Sequence, residues 1–241
     1  MTTTRGTTRA LGAAFLAVIA TSLAAGMTLT AATGDGDIYG LLASVAAQPG
    51  LARLSILIEL FNAAAIVALA SLLYVTLHEQ QRVLALVALG WWLAEAITVG
   101  VSKLGSSALV PLSMRFAEAG APRDALYGEL ATALFYGLDR VGYTLHMFFY
   151  CLGGILWYAL MVRSRLVPRA IPLFGVAAAT VGLAGIAAEL LGATVPIYVY
   201  LPIGAFELVI GLWLLVGRVR SDPRPTPTRP SSRGTKRSGR A

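Results

Sequence analysis

The chain has 241 residues, 57% of them hydrophobic and 13% charged, against about 25% charged in an ordinary soluble domain. With a mean hydropathy of +0.73, this excludes a soluble globular enzyme and points to an integral membrane protein, long enough for six spans of roughly 20 residues with short links. The net charge of +7 does not indicate nucleic-acid binding. Its excess gathers after the last apolar run, where Arg218, Arg220, Arg224, Arg229, Arg233, Lys236, Arg237 and Arg240 face only Asp222. A basic tail beside a span is a topology signal and a contact for anionic lipid, and no folded basic module accompanies it.

The first apolar run covers residues 10–32, ALGAAFLAVIATSLAAGMTLTAA, after Arg5 and Arg9. It exceeds the roughly 7–15-residue core of a signal peptide and is read as a retained helix. Residues 33–53 turn polar, with Gly34, Asp35, Gly36 and Asp37 as breakers and a short interfacial helix expected over residues 37–48. The second and third spans, at about 54–77 and 83–104, are joined by HEQQR and carry one carboxylate each, Glu59 and Glu95. Residues 111–130 read as the most polar interior loop, in which Asp124 is placed to cap a new helix. That helix leads into a fourth span at about 138–162. After the loop RSRLVPRAIP, the fifth span is expected at about 171–191 and the sixth at about 197–216. The expected architecture is an all-α membrane protein, with residues 1–220 as a single six-helix transmembrane domain. Residues 221–241, rich in Pro, Ser and Arg, read as a disordered basic tail.

Threading six helices places Arg5, Arg9, Arg82, Arg163, Arg165, Arg169 and the tail on one side. Arg53, Arg115 and Arg123 fall on the other, among Asp35, Asp37, Glu118, Asp124 and Glu129. The positive-inside rule then makes both termini cytoplasmic.

Ionisable residues within spans are costly and usually face the bundle interior or a water-filled cavity. Residues three, four or seven apart share a helix face, which aligns Ser55, Glu59 and Asn62, then Glu95, Thr98 and Ser102, then Asp139, Tyr143, His146 and Tyr150. Glu95 and Glu207 fall near mid-membrane and the remaining groups in the outer half. The pattern predicts an outward-facing polar cavity with Glu59, Asn62, Glu95, Glu207, His146, Tyr143 and Asp139 as candidate lining residues. The competing account makes these groups hydrogen-bonding glue between helices, with Asp139 and Arg140 marking the interface and Lys103 snorkelling outward. His146 has no second histidine within the spans for a metal site and reads as an aromatic-packed side chain. Gly175, Gly182, Gly185, Gly204 and Gly211 suggest close helix packing. A lone cysteine, Cys151, forms no internal disulfide.

Neither a phosphate loop, HExxH nor CxxC is present, so no cofactor is implied. The run LIELFNAAAIVALASLLY, the helix with WWLAEAI, the segment AGAPRDALYGELATALFYGLDR, the loop SRLVPRAIPLFG and the closing FELVIGLWLLVGR resemble the bacterial membrane family catalogued as domain of unknown function 4386. The resemblance spans roughly residues 9–218. Its most specific pieces are residues 166–169 and the Glu59 and Asn62 pair, and Glu95 and Glu207 fall where such proteins tend to carry a carboxylate. It implies a multi-pass bacterial inner-membrane protein and no particular activity. The partners expected are membrane lipids and a small solute or ion, with no nucleic acid. The preferred function is binding or translocation of that solute, ion or lipid; the alternative is an accessory or structural membrane protein. A membrane hydrolase or transferase using a carboxylate with His146 ranks last.

Overall fold

A computed structural model describes residues 5–216, and the basic tail expected at 221–241 lies outside the described residues. The helices are α1 (Arg5–Thr33), α2 (Ile38–Ala47), α3 (Pro49–Leu77), α4 (Arg82–Glu118), α5 (Ala125–Thr132), α6 (Val141–Ser164), α7 (Ala170–Leu190) and α8 (Leu201–Val216). A π-helical stretch, Ala133–Arg140, runs α5 into α6, and a 3-10 turn at Ile197–Val199 precedes α8. Six of these units are long and apolar enough to cross a membrane: α1, α3, α4, the continuous α5–α6 unit, α7, and α8 with its leading turn. The protein is a multi-pass membrane protein of all-α architecture.

The spans pack in chain order as a closed ring, α1 on α3, α3 on α4, α4 on α6, α6 on α7 and α7 on α8, with α8 returning to α1. Large apolar side chains such as Leu57, Phe61, Leu86, Ile97 and Val181 point outward from the ring. That distribution suits a solvent of acyl chains, where an outward leucine costs nothing. Inside, Leu69, Leu73, Trp92, Trp157, Tyr158, Met161, Phe206 and Ile210 form one core. Small residues let the helices approach. A Cβ on Gly12 of α1 would sit 2.6 Å from the Leu215 backbone nitrogen of α8, and one on Gly211 would sit 2.8 Å from Leu16. Gly175, Gly182 and Gly185 likewise abut Phe206, Ile203 and Tyr200, whereas Gly204 has nothing within 4 Å. Four of the five glycines singled out by sequence are therefore packing positions, and Gly12 joins them.

The main departure from the sequence expectation is the stretch 105–118. Instead of a loop from residue 111, α4 continues through Pro111 to Glu118, while the helix expected after Asp124 does begin at Ala125. At 1.5 Å per residue the 37-residue α4 is about 55 Å long against a hydrocarbon thickness of about 30 Å. It is therefore much longer than a straight span needs. A proline inside a helix costs about 3 kcal/mol. Here the extension gains more through packing, because Leu109, Val110 and Phe116 bury against Leu41, Leu42 and Val45 of α2, Ala131 of α5, and Phe135. This small second core forms a cap on the side of the ring opposite Arg5, where α1 begins, and Val216, where α8 ends. Asp37 starts α2, its carboxylate accepting from the Gly40 amide at 2.8 Å; Asp124 starts α5 in the same way, accepting from Tyr127 at 3.1 Å. The Asp124 cap fulfils the local reading. The ion pair between Arg123 and Asp37, 3.1 Å, and the bond from the Tyr39 hydroxyl to the Asp124 carbonyl, 2.9 Å, tie the two short helices together.

Candidate functional site

The extended α4 and the π-helical stretch set up the site. Gly105 of α4 leaves room for the π stretch to lie against it: a Cβ there would collide with the Leu134 carbonyl oxygen. π-helical turns recur at functional sites because they re-aim side chains, and this one turns Asp139 into the bundle at 1% exposure. Lys103, 6% exposed, meets it with Nζ 3.1 Å from Oδ2, and the Ser106 hydroxyl donates a short hydrogen bond to the same oxygen. Lys103 therefore does not snorkel outward, because α4 runs on for another 15 residues beyond it, from Leu104 to Glu118. Asp139 does more than mark the interface, since it bridges two elements from within.

Beside this group lies a cavity of about 240 Å³ between α1, α3, α4 and α6, on the cap side of the ring. Its polar wall comprises Ser22 and Thr30 of α1, Ser55 and Glu59 of α3, Lys103 and Ser106 of α4, and Asp139, Arg140 and Tyr143. Glu59 is 6% exposed and makes no direct hydrogen bond or ion pair among the described residues. Its electrostatic neighbours are Lys103 and Asp139. The Arg140 guanidinium packs over the Phe135 ring, 4.9 Å from its centroid, with the residue itself exposed.

Of the residues singled out in the sequence, Glu59, Asp139 and Tyr143 share this wall. Asn62 lies outside it and ties α3 to α1, its side-chain oxygen accepting from the Thr21 hydroxyl at 2.9 Å. His146 packs edge-on against Tyr143 at 4.4 Å between centroids, and its Nδ1 has no hydrogen-bond partner among the described residues. Glu95 and Glu207 belong to a separate, deeper group with Tyr150 and Tyr158. The sequence pattern does not single out Ser22 or Ser106. Ser106 follows Lys103 by one helical turn, a spacing that becomes meaningful once α4 is known to continue.

A family model matches residues 10–217. The chain belongs to the family described as Domain of unknown function (DUF4386). The DUF4386 match takes in the whole cavity wall, from Ser22 to Ile197, and the deeper carboxylates as well. No curated protein and no solved structure matches the chain significantly.

Proposed function

We propose that this protein binds or translocates a small polar solute or ion through the cavity between α1, α3, α4 and α6, taken up from the extracytoplasmic face of the bacterial inner membrane. The observation that carries the reading is Glu59, a carboxylate 6% exposed on the wall of a polar cavity with no direct partner among the described residues. An unpaired ionisable group inside a membrane bundle is expensive unless something neutralises it. A cation or an amine-bearing solute would do so, with Arg140 and Tyr143 available to hold an anionic or polar end. The cavity, about 240 Å³, is smaller than the roughly 300–1,000 Å³ of drug-sized sites, so the occupant is an ion with its waters or a small metabolite and not a lipid.

The uptake side follows from charge. Arg82, Arg163, Arg165 and Arg169 flank the links on the side where α1 begins and α8 ends, which the positive-inside rule makes cytoplasmic. The cavity then opens to the opposite face. A thermal-shift screen of detergent-purified protein against ions and small metabolites tests the proposal. A ligand present at 100 times its Kd stabilises by about 2.7 kcal/mol, and that stabilisation should vanish in Glu59→Gln. A shift that survives Glu59→Gln, or no shift with any ligand, overturns it. The second outcome favours the other reading, an accessory or structural membrane protein, which draws support from Asn62 and Asp139 acting as ties between helices.

A further inference from the structure

Deeper than the cavity, Glu95 of α4 and Glu207 of α8 face each other across the ring interior with Tyr150 and Tyr158 of α6. Glu95 is 3% exposed and Glu207 7%, and Oε2 of Glu95 has no hydrogen-bond partner. The two tyrosine hydroxyls bond to each other at 2.8 Å, and the Tyr150 hydroxyl faces Glu207. Trp92 closes the group, its indole N–H donating to the Tyr150 carbonyl at 3.1 Å, while Phe206 packs on Tyr158 at 4.3 Å.

The charge balance decides what such a group holds. The titratable groups facing Glu95 are Glu207 from α8 and Cys151 and Tyr158 from α6, and no cation is among them. Elsewhere the ring adds little: α1 has no ionisable side chain between Arg9 and Thr33, α3 has only Glu59 and Tyr74 between Leu54 and Leu77, and α7 has none before Glu189. Lys103 is two turns further along α4, about 12 Å at 1.5 Å per residue, and is engaged by Asp139. Two carboxylate charges in this setting have no counter-charge to offset their desolvation and mutual repulsion. A carboxylic acid, by contrast, gains an O–H donor that a neighbouring carboxyl or phenol oxygen can accept.

We propose that Glu95 and Glu207 form a buried proton-binding site, loaded from cavity water along the Tyr143, His146 and Tyr150 face of α6. Tyr143 lines the cavity, His146 packs on it with an unpartnered Nδ1, and Tyr150 follows one turn deeper. Loading moves one proton from water onto a carboxylate oxygen, and release reverses it with no other reactant. The site does not rest on solute binding, since a cavity holding only water would load the same proton.

Infrared spectroscopy of the detergent-purified full chain at neutral pH, in H2O and D2O, tests this. The expected result is a protonated-carboxyl C=O band in the wild type that moves in D2O, is lost in Glu95→Gln or Glu207→Gln, and changes frequency in Tyr150→Phe. Should one Gln variant fail to fold, the other and Tyr150→Phe carry the same demand. Three results would overturn the site: no protonated band in the wild type, a band unchanged in all folded variants, or a band insensitive to D2O. His146→Leu should slow the D2O shift several-fold, and an unchanged rate overturns the route.

Discussion

Lys103 on α4 and Asp139 in the π-helical stretch stand 3.1 Å apart with side chains 8% and 2% exposed. Two charges so far from water repay their desolvation only through close geometry and further hydrogen bonds, and the Ser106 hydroxyl supplies one. The pair fixes how the long α4 lies against the turn that leads into α6.

Removing one partner should therefore cost more than removing both. Lys103→Met or Asp139→Leu alone is expected to destabilise by about 3–5 kcal/mol, because an uncompensated buried group is left behind. The double variant Lys103→Met/Asp139→Leu should recover much of that loss. Thermal unfolding in detergent over the four-member cycle measures the coupling. Losses that simply add would show that the two side chains do not act as a pair.

The ring depends on the α1–α8 contact. Gly12→Val places methyl groups where the Leu215 nitrogen and the Gly211 carbonyl oxygen already lie 2.6 and 2.7 Å from a Cβ, and main chain cannot swing aside. A loss at or above the roughly 1–3 kcal/mol of ordinary overpacking is expected. Gly204→Ala, with open space around it, should instead be neutral or stabilise by up to about 1 kcal/mol through helix propensity. The two melting curves decide between a packing glycine and an incidental one.

The cap should unfold separately from the ring. Phe116 is 2% exposed and packs with Tyr127 and Tyr39 at 5.4 and 6.3 Å between ring centroids. Phe116→Ala should cost about 3–5 kcal/mol locally. Hydrogen exchange should then accelerate in α2 and α5 while α7 and α8 keep their protection. Uniform acceleration would mean that the second core is not a separate unit.

Much of this was legible in the residues, and what was not has identifiable causes. The i, i+4 spacing of Ser55 and Glu59, and of Asp139 and Tyr143, put these side chains on shared faces, and all four line one wall. Residues 105–118 were not legible, because Pro111 and the charges of Arg115 and Glu118 look like a loop when only local propensity is weighed. The packing that outweighs them comes from α2, some 70 residues away in sequence, and without it Lys103 reads as lying near a helix end. Glu95 and Glu207 sit at similar depth to each other, yet a one-dimensional pattern does not tell whether they share the Glu59 cavity. That depends on which way α4 and α8 are rotated within the ring. Gly12 was hidden for a related reason, since in an Ala-rich helix one more small residue carries no signal until its neighbour on α8 is known.

The proposed orientation can be read chemically, because Cys151 is 0% exposed and leaves an almost silent background for thiol labelling. Gln80 lies in the link between α3 and α4, on the side opposite the cap, and Ala119 in the link between α4 and α5 on the cap side; both are exposed. With a membrane-impermeant maleimide, Ala119→Cys should label in intact cells once the outer barrier is permeable to the reagent. Gln80→Cys should label only after the inner membrane is broken. This pattern would place the cap and the cavity mouth outside, where a solute would enter. The reverse pattern would put the cavity in contact with the cytoplasm, so any solute would enter from there, and the arginines of the 163–169 link would then break the positive-inside rule.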